Sequence, residues 1–109
     1  FYYNDSGSTS WQTWTSTSDV FTSANTWYHV GITFTFGTGG SLIVYVNGAT
    51  VSGSWIQGTG NVTADSDTQA LVLGQANGGE RYIGKLDEVR VYNRILTAGE
   101  ISGLYNGGR

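Results

Sequence analysis

From Gly84 to Tyr105 the chain reads Gly-Lys-Leu-Asp-Glu-Val-Arg-Val-Tyr-Asn-Arg-Ile-Leu-Thr-Ala-Gly-Glu-Ile-Ser-Gly-Leu-Tyr, a strand that ends in a short capped helix. Thr97 and Glu100 have the Thr-x-x-Glu spacing in which each side chain caps the other's backbone N–H, and Leu96 and Ile101 flank them as a hydrophobic staple. Ile101, Leu104 and Tyr105 then fall on one helical face, and Gly107 is placed to end the helix in a left-handed conformation. A helix with one apolar stripe has to lie against something, and the rest of the chain offers only sheet.

The strand before it is irregular. Val89 and Val91 share one parity and Leu86 has the other, so one face holds all three only if an extra residue is inserted near Asp87 or Glu88, as a β-bulge. Asp87 is then a carboxylate beside a core face, in need of hydrogen-bond donors or a cation. Arg94 and loop amides are the candidates.

Outside this stretch the sequence is β-like throughout. Its 17 glycines, its many Thr and Ser residues, and an aromatic content of 14% without any other helix-forming run describe a turn-rich all-β protein. A chain of 109 residues makes one domain with a small core. Only 12% of residues are charged and the net charge is -3, which argues against a nucleic-acid partner and against attraction to anionic membranes. There is no cysteine to form a disulfide or ligate a metal, and no apolar run long enough for membrane insertion.

Taken in order, Phe1-Tyr2-Tyr3 reads as a short strand ended by the turn Asn4-Asp5-Ser6-Gly7. Trp11 to Thr15 follows, with Trp11 and Trp14 on opposite faces, and Thr17 to Thr26 is a loop. Trp27 to Phe36 is the cleanest strand, Tyr28, Val30, Ile32, Phe34 and Phe36 alternating with Trp27, His29, Gly31, Thr33 and Thr35. Ser41 to Val46 is its expected hairpin partner, with Leu42, Val44 and Val46 toward the core. Asn47-Gly48 favours a two-residue type I′ turn that sends Ala49 to Trp55 back antiparallel. Gln57 to Gln69 is a long polar loop, Ala70 to Gln75 a strand, and Tyr82 begins the closing strand.

The string Gly84-x-Leu86-Asp87-Glu88-Val89-Arg90-Val91-Tyr92-Asn93-Arg94-x-Leu96-Thr97-x-x-Glu100-Ile101-x-x-Leu104-Tyr105 resembles the closing segment of laminin G-like domains of the concanavalin A-like lectin/glucanase superfamily. Trp27-Tyr28-His29-Val30 and Leu42-x-Val44-Tyr45-Val46-Asn47-Gly48, with Leu73-Gly74 after them, agree in order and spacing. The resemblance implies an antiparallel two-sheet sandwich of jelly-roll type with one short C-terminal helix. It also implies several strands ahead of Trp27-Tyr28-His29-Val30, where this chain has only 26 residues. Residues 1–109 are therefore expected to be a single sandwich domain lacking its N-terminal strands, completed by further sequence or by a neighbouring chain.

Three kinds of chemistry were weighed. His29 is the single histidine and has no nucleophile in a recognisable pattern, so it reads as a packed strand residue. The superfamily contains glycoside hydrolases whose acids alternate along one strand, but here Asp87 and Glu88 are adjacent and nothing acidic follows in the strand, which argues against catalysis. For calcium, Asp65-x-Asp67 is the candidate oxygen-ligand pair. Pentraxins share the beginning Leu73-Gly74-Gln75 but continue with an acidic run, which Ala76-Asn77-Gly78-Gly79 replaces here. For a glycan, stacking aromatics and amide side chains are needed together, and Trp11, Trp14, Trp55, Gln75, Asn77 and Tyr82 qualify by type. The expected function is a non-catalytic binding or adhesion module at an extracellular, cell-surface or virion-surface position, recognising a glycan or glycosylated surface protein. The alternatives are a structural or decoration domain that contacts copies of itself or the rest of a longer chain, and a glycoside hydrolase-related domain.

Overall fold

The computed structural model describes residues 1–4, 10–66, 73–74, 79 and 81–107. The strands are β1 (Tyr2–Asn4), β2 (Trp11–Ser16), β3 (Val30–Thr33), β4 (Ile43–Val46), β5 (Ala49–Val51) and β6 (Gly53–Gln57), followed by the helix α1 (Ala98–Gly107). They form two antiparallel three-stranded sheets, ordered β1-β2-β6 and β3-β4-β5. The predicted strand at Ala70 to Gln75 lies largely outside the described residues.

Asn47 and Gly48 have φ of 52° and 78°, the two left-handed residues that a type I′ hairpin turn requires. The strand expected to run unbroken from Ala49 to Trp55 changes sheet instead. β5 stays beside β4, and after Ser52 the chain enters the other sheet as β6 beside β2. The Ser52 carbonyl accepts both the Thr17 amide (3.0 Å) and the Thr17 hydroxyl (3.3 Å), which fixes the crossing point. Gly53 then lies flat beneath the indole of Trp14, where any Cβ would collide with the ring and with the Thr15 carbonyl.

Under the β3-β4-β5 sheet lies α1. The Thr97 hydroxyl accepts the Glu100 amide (3.2 Å) and the Glu100 carboxylate accepts the Thr97 amide (2.8 Å), so the first turn is closed at both ends. Leu96 and Ile101 flank this cap and are buried against Tyr45, with Leu104 at the margin. Gly31, directly opposite Tyr45, lies beside them, and a Cβ there would be in ordinary contact 3.4 Å from Ile101. The core-facing residue of β4 is thus Tyr45, 2% exposed, whereas Val44 and Val46 point to the opposite face and are only partly covered. The expectation for Val44 and Val46 is reversed because the helix occupies the Tyr45 side.

A second cluster is aromatic, with Tyr3 buried, Phe34 and Trp55 half-buried, and Phe1 and Phe36 exposed at its margin. Phe1, Tyr3, Phe34 and Trp55 are in mutual ring contact, and Phe36 joins through Tyr3 and Phe34, with centroid separations of 4.9–6.3 Å. Trp55 donates from Nε1 to the Gly39 carbonyl (3.2 Å), and the Asn61 side chain accepts the Gly39 amide (2.8 Å). Gly60, at φ 71°, meets the Trp55 ring and the Gly39 backbone so closely that no side chain fits. Gln12, 5% exposed, accepts the amides of Thr59 and Gly60, both at 2.9 Å. The loop after β6 is therefore tied to β2 by a buried amide.

Two strands are shorter than the alternation suggests. The Trp27–Phe36 pattern is paired only over Val30–Thr33. The closing stretch from Tyr82 to Tyr92 is not a strand, and Leu86, Val89, Val91 and Tyr92 are exposed. Glu88 at φ 51° breaks the extended backbone where the bulge was placed, and its carboxylate pairs with Arg90. Among the described residues the extended form has no ladder partner there, and a lone strand gains nothing to offset its ordering.

Ile101→Ala should cost about 2–4 kcal/mol, the range for emptying a buried aliphatic site, read as a lower urea midpoint at unchanged m-value. Gly60→Ala should destabilise the same unfolding transition by at least ~1 kcal/mol, because both the positive φ and the Trp55 contact oppose a Cβ. An unchanged midpoint in either variant would contradict the packing described.

Candidate functional site

The two faces of the β1-β2-β6 sheet differ in kind. Tyr3, Gln12, Trp14 and Trp55 point inward, while Tyr2, Asn4, Trp11 and Thr13 point outward. Outside, Tyr2 and Trp11 stand diagonal to one another, Tyr2 opposite Thr13 and Trp11 opposite Asn4. Their rings meet edge to face at 5.3 Å and 74°, and they stay 50% and 39% exposed. The register shifts between Thr13 and Trp14, so that Thr13 faces Gln57, Trp14 faces Trp55, and Ile56 is pushed out between them. Thr15, Ser54 and Gln57 continue the exposed face. No charged residue occurs in any of the three strands.

Of the described residues singled out for a glycan, Trp11 alone lies on this face. Trp14 and Trp55 face each other on the inner side, half-buried, Trp14 over Gly53 and Trp55 in the aromatic core. Tyr82 is 58% exposed on the segment after Gly74, whose carbonyl accepts its amide (2.9 Å). Gln75 and Asn77 lie outside the described residues. Tyr2 was missed by sequence reasoning. The signal was present, since Tyr2 has the parity opposite to the core residue Tyr3 and sits in a strand without a charge.

The Asp65 amide donates to the Asn4 carbonyl (3.1 Å), which brings the exposed Asp65 to the end of β1. Asp67 lies outside the described residues. Among the described residues no three His, Cys, Asp or Glu side chains gather as a metal site would require, so Asp65 does not by itself make a calcium site. His29 rests beside Tyr105, ring centroids 6.0 Å apart, and its amide donates to the Asn47 side chain (3.0 Å).

Asp87 was expected beside a core face with Arg94 as a candidate donor. It is exposed instead, and it accepts the Glu88 amide (2.8 Å). Arg94 turns the other way and grips Glu100 with both terminal nitrogens, at 3.0 and 2.7 Å. That grip, followed by the Thr97 amide, lowers the Glu100 carboxyl from its ordinary 4.5 to about 2. The acid is thereby committed to holding the helix start.

Residues 1–102 match the laminin G-like family model of the concanavalin A-like lectin/glucanases superfamily, and the chain belongs to that family. No curated protein and no solved structure matches it.

Because the folded Glu100 value lies below the unfolded one, its contribution to stability is present above pH ~4.5 and is lost as pH falls through about 2. Glu100→Gln should therefore be less stable than the parent at neutral pH, with the gap closing over that acid range. Urea midpoints of the two proteins along an acid titration test this, and a gap independent of pH would contradict the assignment.

Proposed function

We propose that this laminin G-like chain is a non-catalytic binding module that recognises a neutral glycan on the outer face of the β1-β2-β6 sheet. The observation that carries the reading is the exposed Tyr2–Trp11 pair on strands that hold no charged residue. A pyranose offers a C–H face to an aromatic ring and hydroxyls to neighbouring amides and hydroxyls. Asn4, Thr13, Thr15 and Gln57 provide those partners at the registers beside the two rings. An uncharged face binds an uncharged sugar without desolvating an unpaired ion, whereas a sulfated or carboxylated polymer would find no cation there.

Membership of a lectin-containing superfamily supports a binding or adhesion role. The absence of catalysis is part of the reading. The described carboxylates at Glu88 and Glu100 are each tied to an arginine. A glycosidase of the superfamily's kind needs two carboxyls facing one another across a bond, roughly 5–9.5 Å apart. No helix of the described residues is long and apolar enough to cross a membrane. Display outside a cell or on a virion, with a glycan or glycosylated surface protein as partner, follows from the same reading.

A glycan array, followed by titration calorimetry on the best hit, tests it. Binding of neutral oligosaccharides is expected, insensitive to a calcium chelator, with Trp11→Ala and Tyr2→Ala each weakening it at least tenfold, ~1.4 kcal/mol, without changing the circular dichroism spectrum. Binding that survives both substitutions, or is confined to anionic glycans, would sink the proposal.

A further inference from the structure

The Tyr2 and Trp11 rings meet edge to face, their centroids 5.3 Å apart and their planes 74° from parallel. Two rings at that angle make a corner and not a platform. A flat surface of packed polysaccharide chains lies on several rings at once only when their planes coincide, so here it touches one ring and is held off by the other. A single pyranose meets no such conflict. Its C–H face lies on one ring while its rim rests against the second, and both rings are open to it, at 50% and 39% exposure.

What lies beside the corner is set by the register. Tyr2 is opposite Thr13 and Thr13 is opposite Gln57, so the three residues form one row across β1, β2 and β6 on the outer face. Neighbouring strands are roughly 4.8 Å apart, which puts Gln57 roughly 10 Å from the start of the row. Ring, hydroxyl and amide thus follow one another at about the repeat of a pyranose in an extended chain. Gln57 is exposed and Thr13 partly so. A hydroxyl both donates and accepts, and an amide side chain sets a donor beside an acceptor, the pattern that two adjacent sugar hydroxyls complement. Among the described residues the sheet ends at β6, and the row ends with it.

Resting on the reading of this face as a glycan site, we infer that it takes a short length of a single soluble chain of neutral sugars and not the surface of a crystalline polysaccharide. One pyranose sits in the Tyr2–Trp11 corner, and the units after it run across the strands, over Thr13 to Gln57. The corner supplies the apolar contact, and the row beyond it sets how many units are held.

Titration calorimetry with oligosaccharide series of one to five units, built from glucose, mannose, galactose, xylose or N-acetylglucosamine, reads the result, with the monosaccharides followed by ligand-detected NMR. Depletion on microcrystalline cellulose and chitin runs beside it. In the series that binds, affinity is expected to climb to the trisaccharide and then level, and the crystalline polymers should take up no protein. Trp11→Ala and Tyr2→Ala should each weaken the monosaccharide, because both rings touch one unit. Gln57→Ala should lower affinity for the trisaccharide about fivefold relative to the monosaccharide, the worth of one ordinary hydrogen bond, with an unchanged circular dichroism spectrum. If neither the oligosaccharides nor the polymers bind, the glycan reading falls and takes this inference with it. A monosaccharide held as tightly as its trisaccharide, uptake by a crystalline polymer, or a Gln57→Ala variant that keeps the parent's ratio overturns the inference alone and leaves the glycan reading standing.

Discussion

The contact on which this structure rests is that between the first turn of α1 and the centre of the β3-β4-β5 sheet. Leu96 and Ile101 meet Tyr45 there, beside Gly31. A small sheet of three strands has little stability of its own, and a helix of ten residues has less. Each supplies the apolar surface that the other lacks. The polar cap of Thr97 and Glu100, held from behind by Arg94, keeps the helix start in the one position where the two hydrophobic residues point the same way.

The outer sheet obtains its two characters from parity. Along β1 and β2, one set of side chains faces the aromatic cluster and its complement is offered to solvent, so that Tyr3 and Trp14 point inward while Tyr2 and Trp11 stay exposed. The bulge at Ile56 corrects the phase of β6, letting Trp55 reach the core beside Tyr3. Exposed face and core are thus two readings of the same short strands, and a one-residue slip would exchange them.

Much of this was legible in the sequence where the determinants are local. The Asn47-Gly48 turn, the Thr97–Glu100 spacing and the opposite faces of Trp11 and Trp14 depend on residues within a few positions of each other. What escaped depends on distant partners. Nothing near Trp55 distinguishes an inward ring from an exposed one, because its direction follows from β2 and from the bulge. The Ser52 crossing was hidden because Ala49 to Trp55 alternates acceptably through it, and it is set by Thr17, far away in the chain. The closing segment shows the converse. Val89 and Val91 have strand chemistry, but alternation states only that a strand could be buried on one face and not that a neighbour is there to pair with it.

The sheet change at Ser52 also bears on how the chain assembles. β3, β4 and β5 follow one another with short connections, so their pairing closes small loops, whereas joining Trp14 to Trp55 encloses the whole of that meander. Loop-closure entropy favours the short connections first. Once formed, the meander holds its two ends near each other, and the long-range pairing of β2 with β6 is shortened to the span outside it. The expected order is the helix-backed sheet before the β1-β2-β6 sheet, with φ-values higher at Tyr45 than at Trp14. An ordering of that kind makes the β1-β2-β6 sheet the last part of the molecule to acquire its shape and, under stress, the first to lose it.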